Sequence, residues 1–423
     1  MINKLIKLAK EKDISLEVCT FKSEQYNIAT LNSELIEFNI PKLTEYTIKA
    51  IYDGKTTYLS TEKIDNPEKI INEIINDIHL KDNDNKNRLC ENDFQIDADR
   101  INKIDINHIK EELFKLNKYY HEKYNFIVNA EFHVGYKKII RMIDNEEHHM
   151  KDSYSYYSMY LSISAKKSDV TKSEYITIYD REFNIEKVKE ELDKLVKKLE
   201  LSFDAESIKT VKGNVLIDNY ALYKILNKFI NSFYSKQLDM KISPFAGKLG
   251  KKIFSDKINI VEEPLNENFI INRHFDTEGS LTYNKEIVKN GVFNTSFNTI
   301  EYAIKNNEKP TGNSGMVSNF YIKPGNKSYD ELITVMNNGI IINNVEGTHS
   351  GINLYTGDIS LQSTGYLVQN GKIIKPLDMI ILQTNIFELL SNVIEIGSDF
   401  KEFGMNCSSS SILVYDITVS GNL

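Results

Sequence analysis

The first twelve positions place Ile2, Leu5, Ile6 and Ala9 at helical spacing among lysines, which predicts an amphipathic helix. The pattern then switches to alternation. Residues 16–21, 26–31, 35–40 and 46–52 alternate apolar with polar positions and are broken at Asn32-Ser33, Pro41 and Asp53-Gly54, the mark of an antiparallel meander. Pro67 opens a stripe of Ile70, Ile71, Ile74, Ile75 and Ile78, and proline suits the first turn of a helix that covers the sheet. Residues 81–91 are polar and read as a solvated connection. Another helix is predicted over 106–124, strands over 126–136, 154–164 and 175–179, and a helix over 183–201, where Ile185, Val188, Leu192, Leu195, Val196 and Leu199 share one face.

The second half reads differently. Residues 215–218 predict a strand and 220–237 a long helix, and beyond Ile258 short strands alternate with turns at Asn290-Gly291, Asn338-Gly339, Thr356-Gly357 and Asn370-Gly371. Asn-Gly between apolar runs is a strong hairpin signal. The expected fold is α+β: an N-terminal part, 1–205, with a meander and covering helices, and a mostly antiparallel β part, 206–423. A chain of 423 residues suits two cores, because single cores stop growing near ~250–300 residues.

Composition narrows the classes. Hydrophobic residues make up 41% and charged residues 26% of the chain, as in soluble globular proteins. A net charge of -8 argues against affinity gained by neutralising phosphates, so nucleic acid is not an expected partner. No run approaches the ~20 apolar residues of a membrane span; the expected place is the cytoplasm, away from membranes. Cys19, Cys90 and Cys407 are far apart in sequence, which supports neither a disulfide framework nor a structural zinc site.

Ordered motifs extend over the C-terminal part: SPFAGKLG at 243–250, INIVEEP at 258–264, FDTEG at 275–279, KNGVF at 289–293, Thr311-Gly312, GTHSGIN at 347–353, TGDIS at 356–360, NGK at 370–372 and EIGSD at 395–399. In this order and spacing they resemble the TldD/PmbA family, whose older label is "modulator of DNA gyrase"; the N-terminal half matches only in its pattern of helix, meander and helix. The resemblance implies a two-domain dimer that handles extended or unfolded peptides. It also implies a TldD-type protease subunit with HExxxH on the first helix of the second domain, two histidines holding zinc and the glutamate activating water. Here that helix reads LNKFINSFYSKQL at 226–238, without histidine or glutamate. The chain therefore looks like the PmbA/TldE-type member.

Other candidate chemistry is thin. His121-Glu122 has no second histidine one turn later, and His148 and His149 point to opposite faces if they lie on a strand. Cys407, near the place where metal-bearing relatives supply a further ligand, reads as a small buried hydrophobe. No metal, cofactor or catalytic residue is therefore expected in this chain. His349 with Ser350 and Asp358 invites a serine-triad reading, but the serine lies in no strand-to-helix elbow. Gly347, Thr348, His349, Ser350, Gly351, Asn353, Gly357, Asp358 and Ser360 form the expected peptide-binding segment: its glycines either let another backbone approach or make ordinary tight turns. Arg273, His274 and Asp276 line the same groove or form salt bridges. The expected function is a peptide-binding subunit of a TldD/PmbA-type peptidase system, as a homodimer or a heterodimer with an HExxxH-bearing partner. The alternative is a non-hydrolytic peptide-binding or scaffold homodimer.

Overall fold

The computed structural model describes residues 1–83, 87–90 and 95–422; within the polar connection expected at 81–91, residues 84–86 and 91 lie outside the described residues. Helix α1 (Ile2–Lys10) buries Leu5, Ile6 and Ala9. Four strands follow: β1 (Ser15–Leu31), β2 (Glu34–Asn39), β3 (Lys42–Tyr52) and β4 (Lys55–Thr61). Helix α2 (Pro67–His79) starts where the Asn66 side chain accepts from the Lys69 N–H, supplying a partner to one of the amides a first turn leaves open. Strand β5 (Ile96–Arg100), which alternation too short to stand out left unread, precedes α3 (Ile106–Lys123), β6 (Ile127–Asp144), β7 (His149–Lys167), β8 (Val170–Asp180) and α4 (Ile185–Ser202).

These strands form one eight-stranded sheet in the order β4-β3-β1-β6-β7-β5, with β2 on β1 and β8 on β7. The segments 16–21 and 26–31 are a single strand, because the polar residues between them are paired on both sides, Lys22 with Thr44 of β3 and with Ile140 of β6. One face packs Val18 and Ile48 against Ile71 and Ile74 of α2 and Leu5 of α1, and Val134 and Leu161 against Leu116 of α3 and Leu192 of α4. Side chains alternate across a strand, so the intervening residues face the other way. Part of that second face, Cys19, Ile143, Met150, Ile139 and Tyr154, packs on Ile271 and Phe275 of the C-terminal half. The rest of it stays open.

In the C-terminal half, β9 (Val211–Ile217) leads into α5 (Asn219–Phe229), a 3-10 turn (Ile230–Phe233) and α6 (Ser235–Asp239). The long helix expected over 220–237 is thus broken near Ile230. The break turns Phe233 onto Phe245, with ring centroids 4.5 Å apart, and Phe293 and Phe320 complete the cluster. A four-stranded sheet follows, from β10 (Ile260–Glu262), β11 (Lys285–Lys289), β12 (Val292–Phe293) and β13 (Phe320–Ile322); α7 (Ile300–Asn306) lies between β12 and β13 in the chain, and α8 (Tyr329–Met336) packs on Leu216 of β9. The remaining elements are β14 (Gly339–Val345), β15 (Asp358–Gln369), β16 (Lys372–Asn385), α9 (Ile386–Ser391), β17 (Val393–Ile396), the short pair β18 (Lys401–Glu402) and β19 (Ser408–Ser409), and β20 (Ile412–Ser420). Strand order β16-β15-β14-β9-β20 closes on itself, because β20 also pairs with β16. The closed barrel shares one apolar core with α5 and the phenylalanine cluster.

Asn290-Gly291 and Asn370-Gly371 form hairpins as expected, joining β11 to β12 and β15 to β16. Asn338-Gly339 does not. It lies where α8 ends, and a Cβ on Gly339 would stand 2.3 Å from the Asn214 carbonyl oxygen, so this glycine lets β14 lie close beside β9. Among the described residues, no helix is long and apolar enough to cross a membrane.

Candidate functional site

The expected peptide-binding residues sit together on one loop, between β14 and β15. The loop is held by its own backbone: Gly351 N–H donates to Gly347 O at 2.8 Å, Ser360 N–H to Gly351 O at 2.8 Å, and Gly357 N–H to Asn353 O at 2.8 Å. The Asn353 side chain accepts from the amides of Tyr355 and Thr356. Gly347, with φ +69°, is uncrowded: a Cβ there would meet only Ser350 Oγ, at 3.8 Å. Gly351 and Gly357 are crowded. A Cβ on Gly351 would lie 2.3 Å from the Ser360 carbonyl oxygen, and one on Gly357 2.7 Å from Ile386, so both glycines admit this chain's own atoms. Thr348 is half-buried, and His349, Ser350, Asn353, Asp358 and Ser360 are exposed. The N–H groups of Gly347, Thr348 and His349 have no hydrogen-bond partner among the described residues. Beside them Leu354 and Tyr355 are 38% and 64% exposed.

No triad forms here. Ser350 donates to Gly347 O at 3.3 Å, while Asp358 accepts from Thr356 at 2.5 Å and from Asn385 at 2.9 Å. Those two hydrogen bonds hold the Asp358 carboxyl below its usual range. Neither residue reaches His349.

The segment 226–238 points its bulk inward. Leu226, Phe229, Ile230 and Phe233 are buried in the main core. Cys407 is fully buried beside them and its thiol is pushed up by burial, the behaviour of a packing residue. His149 pairs with Asp144 at 2.6 Å and His148 lies 3.6 Å from Glu147. Among the described residues no group of three histidine, cysteine, aspartate or glutamate side chains converges.

Arg273, His274 and Asp276 are ion-paired or buried rather than lining the loop. The Arg273 guanidinium meets Glu262 at 3.4 Å and donates to Gly312 O at 2.6 Å, and Lys285 pairs with the other Glu262 oxygen. His274 bonds to Asp152 of β7 at 3.2 Å, and Arg100 joins both. This polar tie connects the two halves. Asp276 accepts amide hydrogens from Glu278, Ser280 and Ser314 at 2.8–3.0 Å.

Burial pushes Asp276 up to about 6, Asp218 up to about 6 and Glu17 up to about 7. Each therefore keeps a proton in the folded chain where the unfolded chain has lost it. The stability these groups contribute is complete below their unfolded values near ~4 and is lost as pH rises through the folded ones. The urea midpoint is expected to fall between about pH 4 and about pH 7; a flat or rising midpoint would contradict these assignments.

Sequence reading missed the place where the two halves meet beside the loop. The open part of the sheet face carries Asn27, Gly135, Ser158 and Tyr179 in one cross-strand row, with His133, Tyr160 and Thr177 in the next. They line a cavity of about 620 Å³. From it an aromatic ladder runs to Tyr175 and then to Lys224 of α5, whose Nζ donates to Asn344 Oδ1 at 2.8 Å and to Val345 O at 3.1 Å. Val345 ends β14, two residues before Gly347. A lysine among Ala221, Leu222, Ile225 and Leu226 was the only signal.

Comparison with known proteins gives a consistent outcome. The family model described as PmbA/TldA metallopeptidase C-terminal domain matches residues 210–421. A Haemophilus influenzae protein, Metalloprotease PmbA homolog, is 28% identical over 296 residues, 69% of this chain and 63% of its own length; the chain thus spans under two thirds of that relative. A Thermotoga maritima structure, described as a candidate modulator of a DNA gyrase, superposes with a TM-score of 0.87 at 24% identity over 99% of both chains. TldE from Thermococcus kodakarensis gives 0.81 at 18% identity over 99% of this chain and 100% of that one. At these identities the two structures establish the fold.

Proposed function

Because the chain belongs to the PmbA/TldD metallopeptidase family, we propose that it is the peptide-holding subunit of a two-part peptidase. It captures extended peptides in the cytoplasm, and a relative bearing HExxxH cuts them. The chain divides at 205/206, and the loop of 347–360 is the capture segment. The observation that carries this reading is the run of amides at Gly347, Thr348 and His349, unpaired among the described residues, beside the exposed Leu354 and Tyr355. Unpaired main-chain donors next to exposed apolar side chains suit an extended peptide, whose affinity comes from its backbone and whose side chains matter less. The apolar packing of 226–238 supports a chain that supplies binding without a zinc site of its own.

The test uses the full chain and a fluorescent extended decapeptide, unmodified or N-methylated at alternate amides. N-methylation puts a methyl group beside the peptide carbonyls that the open amides of the loop must approach, and should weaken capture by roughly tenfold or more, whereas side-chain exchange should matter little. Zinc analysis of the same preparation should find well under one ion per chain, and cleavage should appear only on adding an HExxxH-bearing relative from the same source. Capture of the N-methylated peptide at full strength would reject the reading. Cleavage with no partner present would reject it too.

A further inference from the structure

Lys224 is an ammonium group without a counter-ion. Its two hydrogen-bond partners, Asn344 Oδ1 and Val345 O, are neutral, and no carboxylate among the described residues lies within salt-bridge distance of it. The nearest acidic groups act only from further away. Glu174 is already paired with Lys198 at 2.9 Å, and Glu346 is exposed. The side chain is half-buried between aromatic walls, 4.6 Å from the Tyr220 ring centroid and 5.9 Å from that of Tyr175. Burial lowers its pKa and the nearby Lys198 adds to that shift, while Glu346 and Glu174 offset it only in part. Lysine has three donors and two are used.

The surroundings say what the third donor meets. On one side, two residues beyond Val345, the open amides of Gly347, Thr348 and His349 begin. On the other, Tyr175 leads back to Tyr160 and His133, with centroids 5.7 Å apart at each step, and to the cavity on the sheet face. A cation with no ion-pair partner among the described residues, at the meeting point of a backbone-binding loop and an aromatic track, suits a single carboxylate better than a phosphate, which calls for several donors or a guanidinium fork.

We infer that Lys224 binds a carboxylate of the captured peptide, with the preceding residues lying on the amides of Gly347–His349 or along the His133-Tyr160-Tyr175 track. This rests on the peptide-capture reading and adds to it a chemical preference. The carboxylate comes from the peptide's C-terminus or from an internal acidic side chain; peptide design separates the two.

Fluorescence anisotropy on the full-length chain would compare N-terminally labelled hexa-alanine as the free acid, the same peptide as the amide, and the amide carrying one internal glutamate or glutamine. Wild type should hold one of the two carboxylate peptides roughly tenfold tighter than its neutral counterpart, the size expected of a charge-assisted hydrogen bond. Lys224→Met should bring that peptide to the neutral level without moving the neutral one, and Lys224→Arg should retain part of the preference. Asn344→Asp, which hands the ammonium an internal carboxylate, should abolish the preference even if Lys224→Met does not fold. A merely structural role of Lys224 would lower the urea midpoint and leave the acid-to-amide ratio unchanged, and that result overturns the inference. Equal binding of acid and neutral peptides by wild type overturns it while leaving peptide capture standing. If no peptide binds at all, both readings fall.

Discussion

A Glu262→Gln chain is expected to lose about 3–5 kcal/mol of stability in urea unfolding, the cost of leaving buried charges without their partner. The Glu262 carboxylate is fully buried, and so are both cations around it, Arg273 and Lys285. Its Oε1 also accepts from Asn313 Nδ2 at 2.8 Å and from Ser318 N–H at 3.0 Å. Burial lowers the pKa of both cations, and Glu262 is the main charge that opposes this shift. Glutamine keeps the shape and removes the charge. The double variant Glu262→Gln/Lys285→Met should recover part of the loss, because one of the stranded charges is then gone. The network also fixes the loop around Asn313, whose carbonyl accepts from the Tyr234 hydroxyl at 2.7 Å, and so anchors the end of the segment 226–238. A loss under about 1 kcal/mol would show that the site relaxes or hydrates, and that the charges are not buried as described.

That network illustrates what the chain's patterning hides. Helical and alternating periods located α1 to α4 and most of the meander, because each of those elements buries one face on a neighbour and so writes its period into the sequence. The run through Lys22 and Gln25 gave no such signal, since its backbone pairs on both sides while its side chains stay partly wet. The broken helix after Phe229 was equally unreadable: what ends it is the packing of Phe233 on Phe245, a contact between residues that a local pattern does not connect. The loop of 347–360 was visible through its glycines, yet what two of them do was not. Gly351 and Gly357 accommodate the chain's own Ser360 and Ile386. Lys224 was silent for a third reason. The lack of a carboxylate around it depends on β8, α5 and β14 meeting, and no sequence window contains all three.

Gly351→Val is expected to reduce peptide capture at least roughly tenfold and to destabilise the chain by about 1–3 kcal/mol, the range for forcing bulk into a filled space. The obstacle is backbone: the new Cβ would stand 2.3 Å from the Ser360 carbonyl oxygen and 2.8 Å from Leu361 Cδ2. A flexible side chain turns away; a carbonyl fixed at the start of β15 does not. The loop must shift instead, and with it the hydrogen bond from Gly351 N–H to Gly347 O that sets where the open amides point. In a reconstituted heterodimer, hydrolysis should slow in step with capture. His349→Ala should do far less. Its ring is exposed, Ser350 and Asp358 are engaged elsewhere, and exposed substitutions of this kind stay within about 0.5 kcal/mol. Binding measured well below each variant's unfolding midpoint separates a misplaced loop from an unfolded chain. The contrast decides the mechanism: if His349→Ala abolished hydrolysis while Gly351→Val behaved as wild type, the histidine would be a catalytic group and the loop would not be the peptide's seat.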